Sequence, residues 1–352
     1  MYSIISLASL VLLLSPSLAV AQVNGTAYGF ATGTTGGGNA AAAAPKNIAH
    51  TPRVIIIDKN FNFIGSEGKA TEGGCYQTRC TPAMGGQTYI GALSCGGSRM
   101  TTTTIKYDKA DVTPLVVGSN KRLHLPGTTK NVIIQNVHIT PKTNFRQNVN
   151  PASVWGGDAL SMDGNGGVWI DHCKFSKMRR MFIISHYVAS RFTGTMFMAE
   201  GDQVIIDRNY WHDMLGRSPK LGADGIKTTI QATNNYFYNH LGYDFEIYLG
   251  TTALIEGNRS HAVNIPMHDG AESIATIYNV LDAASASACT AILGRACESN
   301  AITSSGGTWP SLKPTTPLNT IAALKKYLVT PIKVGNTMTT VLQIAGVGKI
   351  TV

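Results

Sequence analysis

Three short segments carry the side chains best suited to chemistry. Asp158 lies in Val154-Trp155-Gly156-Gly157-Asp158-Ala159-Leu160, Arg179-Arg180 form a cationic pair, and Arg217 and Lys220 share Gly216-Arg217-Ser218-Pro219-Lys220. Carboxylates and cations are side chains that can orient a substrate or stabilise charge that develops on it. Each residue also has an ordinary structural reading: Asp158 as an anchor for Arg180, Arg217 as a surface cation, and Trp155 as core packing instead of a platform for the apolar face of a sugar ring. Other constellations fall away. Asp171-His172 look like half of a triad, but neighbours on a strand are expected to point to opposite faces and no nucleophile elbow accompanies them, so both are read as structural. Gly36-Gly37-Gly38 lacks the Gly-Lys-Ser/Thr ending of a phosphate loop and is read as a turn.

The elements that must position these residues show as a repeat. Alternating apolar runs, each followed by Asn, Asp or His and another apolar or aromatic residue, begin at Val132, Val168, Val204, Thr228, Ala253 and Ala275. The starts step by 36, 36, 24, 25 and 22 residues, so a unit of 22–25 residues with loops inserted in the earlier turns is a solenoid period. The Leu-x-x-Leu-x-Leu register of leucine-rich repeats is absent, and the runs favour β-branched residues. The expected fold is all-β, a single-stranded right-handed parallel β-helix with apolar side chains stacked inside and asparagines stacked at the bends. One short amphipathic helix is expected outside the coils, over Asn319 to Val329, with Ile321, Leu324 and Leu328 on one face.

Composition agrees with this. Of 352 residues, 43% are hydrophobic and only 14% charged, which rules out a disordered chain or a coiled coil, and 37 glycines suit short strands with tight turns. The net charge of +9 favours a polyanionic partner. Basic residues never run longer than two, so no nucleic-acid site is expected and an acidic polysaccharide is the better polyanion. Residues 1–21 form an uncharged apolar segment ending Ala19-Val20-Ala21 and are expected to be a signal peptide, too short for a membrane span. Residues 22–352 are then a single secreted β-helical domain, expected to be a monomer with no membrane partner. An oxidising compartment permits disulfides among Cys75, Cys80, Cys95, Cys173, Cys289 and Cys297, and the absence of Cys-x-x-Cys argues against zinc. Asn24-Gly25-Thr26 and Asn258-Arg259-Ser260 fit the N-glycosylation triplet.

Taken together the three segments resemble the fungal pectin lyases of the pectate lyase superfamily. The resemblance rests on the Asp158 segment with Asp171 thirteen residues later, on Arg179-Arg180, and on the Arg217 segment followed by Phe245-Glu246-Ile247 and Ala253-Leu254-Ile255-Glu256-Gly257-Asn258. It runs from Val23, through Gly29-Phe30-Ala31 and Thr35-Gly36-Gly37-Gly38, to Gly348-Lys349-Ile350. It implies a lyase that cleaves methyl-esterified polygalacturonan by β-elimination, giving 4,5-unsaturated products. Calcium-dependent relatives add carboxylates from the coil after the one holding the Asp158 acid. Here those positions hold Arg180 and, four residues on, Ile184. A hard cation needs several oxygen ligands, so no metal or other cofactor is expected.

By the same resemblance Arg217 takes the proton on carbon 5, with Arg180 and Lys220 stabilising the enolate, Asp158 in support and Trp155 against the sugar. Guanidinium normally keeps its proton, so that role comes from the resemblance alone. The resemblance also implies bridges Cys75–Cys95 and Cys289–Cys297, with Cys80 and Cys173 unpaired. Two stretches depart from the family: a Gly-rich stretch is shortened at Val117 to Asn120, and an aromatic-rich loop is missing around Phe192 to Phe197. A β-helix that binds pectin without cleaving it, and a calcium-dependent pectate lyase, remain the alternatives.

Overall fold

The computed structural model describes residues 24–35, 42–43, 54–55, 68–79, 81–84, 88–90, 95, 97–109, 115–116, 119–121, 123–125, 130–139, 159–162, 166–176, 182–185, 195–214, 216–268, 276–307 and 309–350. The expected signal peptide lies outside them.

The chain is a parallel β-helix. In one sheet Gln203–Asp207, Thr228–Thr233, Thr251–Glu256 and Ile277–Asn279 pair in parallel, coil upon coil, and Lys130–Gln135 pairs likewise with Gly166–Asp171. After a bend, Tyr210–His212, the first half of Tyr236–Ile247, the first half of Arg259–Met267, and Ala301–Thr303 form a second wall. A third wall stacks Leu160–Met162, Ile183–Ile184, Thr195–Phe197, Lys220–Leu221 and the end of Tyr236–Ile247. That long strand serves two walls because its register shifts between His240 and Tyr243.

Period-two alternation decides what each strand buries. Ile230, Ala253, Ile255 and Ile277 are fully buried in the solenoid interior with Phe237, Phe245 and Leu221. Burying each large aliphatic side chain is worth about 1.5–3 kcal/mol. The alternate row, Leu254 and Tyr278, faces outward and is covered by helices. Coil lengths differ slightly from the spacing of the run starts: Val204 stands opposite Ile230, Ile230 opposite Ala253, and Ala253 opposite Ile277, which makes coils of 26, 23 and 24 residues.

The bends hold the expected asparagines. The Nδ2 of Asn209 donates to Asn235 Oδ1 (3.1 Å), that of Asn235 to Asn258 Oδ1 (2.8 Å), that of Asn258 to Asn300 Oδ1 (3.0 Å), and that of Asn300 to Asn279 Oδ1 (3.0 Å). The residues before Asn209, Asn235 and Asn258 turn the corner in the left-handed region, at Arg208, Asn234 and Gly257. One coil earlier Cys173 takes the rung position after His172, its Sγ 3.3 Å from the carbonyl oxygens of Ile134 and Asp171. Asn258 is fully buried with its amide committed, so the folded chain offers no glycan acceptor there. Asn24 is exposed.

The helical prediction needs correction. Helix α1 (Ala283–Leu293) sits between the last strands, helix α2 spans Thr315–Ala322, and helix α3 spans Val334–Ile344. The expected helix over Asn319 to Val329 therefore starts earlier and breaks, with a separate 3-10 turn at Lys325–Tyr327. Leu318 and Ile321 of α2 pack on Leu254 and Tyr278. Helix α1 shows little apolar periodicity. Its signals are its ends, the reciprocal Asp282–Ser285 capping box and Gly294 at φ 77°. No helix among the described residues is long and apolar enough to cross a membrane.

The N-terminal segment lies along the outside. Asn24 N donates to Gln135 Oε1 (2.9 Å) and the Tyr28 hydroxyl to Asp207 Oδ2 (2.8 Å). Gly29 has φ 63°, and a Cβ there would run into Ile205.

Cys75–Cys95 and Cys289–Cys297 are bridged and Cys173 is free; Cys80 lies outside the described residues. The bridge spanning 20 residues is worth about 3 kcal/mol by loop-closure entropy. Burial pushes the Cys173 thiol up to about 11, consistent with an inert structural group. Titrating thiols in denaturant should find two per chain, and a count of zero would show that Cys80 and Cys173 are bridged.

Candidate active site

The candidate site is built on the outer face of the third wall. Leu221 and Ile247 point into the core at 0% and 4% exposure, so their neighbours Lys220 and Glu246 point outward. Register then aligns Ser161, Ile184, Met196, Lys220 and Glu246 in one row, coil after coil. Ile184 and Met196 are buried together in that row beside Met198.

Arg217 enters just upstream of this row. Ser218 N donates to Tyr243 O (3.1 Å), the Ser218–Pro219 peptide is cis, and Pro219 O accepts from Glu246 N (3.1 Å). The segment is thereby tied to the next coil on both sides of a residue that has no N–H of its own. Arg217 Nε lies 2.9 Å from Glu246 Oε2. The N–H points off the line between the two atoms, so the contact is an ion pair and not an aligned hydrogen bond. Arg217 is about one-third exposed, whereas Glu246 is almost fully buried.

Lys220 Nζ sits 4.0 Å from the centre of the Tyr248 ring. Burial lowers the Lys220 ammonium below the usual lysine range and Arg217 adds to the effect, while the Glu246 and Asp224 carboxylates oppose it. Tyr248 is raised, by burial first and then by Glu246. Tyr243 and His268 meet edge to face at 4.8 Å, and the Phe245–Met267 pairing places His268 next to Glu246 in the outer row.

Arg217 and Lys220 are therefore brought together. Asp158, Arg180 and Trp155 lie outside the described residues; the strands that follow the first two in sequence, Leu160–Met162 and Ile183–Ile184, belong to the same wall as Lys220. Glu246, Tyr248, Tyr243 and His268 received no role from the sequence. A signal for Glu246 was present, because it lies 26 residues after Lys220, the coil length that separates Val204 from Ile230.

The expectation that Asp171 and His172 point apart fails. His172 sits at the bend with φ 48°, not on the strand, and its Nδ1 comes within 2.8 Å of Asp171 Oδ1. Asp171 also accepts from Gln135 Nε2 (2.8 Å), so the pair braces successive coils. Among the described residues no group of three or more His, Cys, Asp or Glu could hold a metal ion.

The class this defines is a parallel β-helical protein with Arg217 and Lys220 set around a buried carboxylate on the outer face of one wall. No family model matches the chain. It is 38% identical to the probable pectin lyase F-1 of Aspergillus terreus over 97% of this chain and 98% of that protein. It is 36% identical to the probable pectin lyase E of Aspergillus fumigatus (94% and 96%) and 35% identical to the probable pectin lyase F of Neosartorya fischeri (94% and 97%). Among solved structures, a pectate lyase bound to a hexasaccharide matches at TM-score 0.35 with 15% identity, over 65% of this chain and 66% of its own, a likeness on which nothing rests. The chain belongs to the pectin lyase family and is a polysaccharide lyase.

Proposed function

We propose that the protein is a secreted, monomeric enzyme that cleaves methyl-esterified polygalacturonan by β-elimination without a metal ion. The observation that carries this reading is the pairing of Arg217 and Lys220 around Glu246 on the outer wall. The carbon 5 proton, α to the uronyl carbonyl, passes to Arg217. Its electron pair forms the carbon 4–carbon 5 double bond, the bond from carbon 4 to the glycosidic oxygen breaks, and that oxygen takes up a proton from solvent, to which Arg217 returns the one it collected. In the enolate-like transition state negative charge gathers on the carbonyl oxygen, where Lys220 and Arg180 act as electrostatic stabilisers, with Asp158 orienting Arg180 and Trp155 carrying a sugar ring. An ester acidifies the carbon 5 proton more than a carboxylate anion does, so less electrophilic help is required. Residues 1–21 serve as the signal peptide, and of the two glycosylation triplets the one at Asn24 is exposed.

The test is growth of unsaturated-uronide absorbance on highly methylated pectin; a protein that binds pectin and yields none is not a lyase of this kind. Metal independence follows from Arg180 and from Ile184 in the site row. Turnover and thermal midpoint should be unchanged by chelator or by excess calcium. Loss of most activity on chelation, restored by calcium, would contradict that assignment.

A further inference from the structure

We infer that Glu246 is a positioning residue for the elimination: held against Nε of Arg217, it turns the terminal nitrogens of the guanidinium toward the substrate and keeps the reactive lone pair on them. The inference rests on the reading of Arg217 as proton acceptor. An arginine that takes a proton must first hold a free lone pair, and a neutral guanidine can place it on Nε or on either terminal nitrogen. Only a lone pair on a terminal nitrogen reaches past the side chain to a substrate. A carboxylate oxygen 2.9 Å from Nε repels a lone pair there and favours an N–H. The lone pair is therefore driven to the far side of the group. A carboxylate that fixes the tautomer and orientation of a histidine base works by the same logic.

The fold equips Glu246 for this. Its neighbours Phe245 and Ile247 are locked in the core, and its own N–H is tied to Pro219 O, within the segment that carries Arg217. The residue is 7% exposed, so its charge is weakly screened. Among the described residues, the titratable groups around it are Arg217 and Lys220 from the preceding coil, Tyr248 just past the end of its own strand, and His268 opposite it in the next coil, with Tyr243 against His268 and Asp224 acting on Lys220 and Tyr248. The off-axis N–H of the free protein is the geometry expected before substrate binds, since such contacts often align only in the complex.

The experiment compares pH–rate profiles of wild type, Glu246→Gln and Glu246→Ala on highly methylated pectin, with Arg217→Lys as control and folding checked by circular dichroism and thermal midpoint. Glu246→Ala should lower kcat about 10²-fold, the scale of losing a positioned acid–base arrangement, with KM within about twofold because Arg217 and Lys220 remain. Glu246→Gln keeps the shape but removes the charge. It should lose less kcat, and the rising limb of its profile should move to lower pH, since the anion that favours the protonated cations is gone. Wild-type kcat and an unmoved limb in Glu246→Gln, with only the thermal midpoint lowered, would make Glu246 merely structural and overturn the inference. If Glu246→Ala does not fold, the Gln variant decides alone. Full turnover in Arg217→Lys would overturn both this inference and the reading it rests on, whereas a slow Arg217→Lys beside an unaltered Glu246→Gln would overturn only the inference.

Discussion

Replacing Arg217 by lysine should lower turnover on highly methylated pectin at least ~10²-fold, the usual loss on disabling a positioned acid–base group, while substrate binding changes little. Lysine keeps the positive charge but not the planar fork. The ion pair to Glu246 runs through Nε, a nitrogen that lysine lacks, so the substitution also releases the group from its anchor. Binding should survive because Lys220 keeps its place by register with Met196 and Glu246, and Tyr248 by its N–H to Leu221 O, neither depending on Arg217.

The wild-type enzyme should also turn over esterified pectin faster than polygalacturonate. The net charge of +9 argues the other way, since it attracts the anionic chain. That attraction is screened beyond roughly 8 Å at physiological salt, whereas the acidity of the carbon 5 proton acts at the reacting atom, so the local effect should win. Turnover and binding measured for both proteins on both substrates decide it. A variant with full turnover, or a wild type that prefers polygalacturonate, would remove Arg217 from the mechanism or the ester from the substrate.

The coils were legible because two signals coincide in each run, alternation of buried and outward residues and a polar residue at the bend. Ile255 and Asn258 carry both within four residues, and the structure puts one in the core and the other in the ladder. The register was legible only to within two residues. The runs at Val204 and Thr228 look equivalent, but the coil between them is 26 residues long, so Ile230, not Thr228, is the partner of Val204. Helix α1 was hidden because its Ala- and Ser-rich sequence shows no apolar stripe and the helix is set by its two caps. In the site, Arg217 and Lys220 are neighbours in sequence and their kinship could be read directly. Glu246 belongs to the next coil, and its meeting with Arg217 depends on a register that composition and motif do not fix. The Asp171–His172 contact was missed for a local reason: strand geometry was extended one residue too far, across a bend where the chain turns left-handed.

Asn258→Ala should destabilise the folded protein by about 3–5 kcal/mol, far more than Asn209→Ala on the same ladder. Asn258 is fully buried, and its Oδ1 accepts from both the backbone N (3.0 Å) and the side-chain Nδ2 (2.8 Å) of Asn235. Its Nδ2 reaches Ala232 O (2.9 Å), Glu256 O (3.1 Å) and Asn300 Oδ1 (3.0 Å). Alanine supplies none of these, and the Asn235 N–H is left without its acceptor where water does not enter. One orphaned buried group costs about 1–3 kcal/mol and each lost hydrogen bond about 1 kcal/mol net. Solenoid stability is close to a sum of nearest-neighbour interfaces, so a central rung weakens the coil on either side. Asn209 stands at the exposed end of the ladder with a single rung partner, Asn235. Its Nδ2 also reaches Asp207 O (3.1 Å), and water can replace what alanine removes, so about 1 kcal/mol is expected. Against a total of about 5–15 kcal/mol for a folded domain, the first substitution should shift the urea midpoint clearly and the second barely. Equal midpoints for the two variants would mean that the ladder follows the stacking of the coils instead of stabilising it.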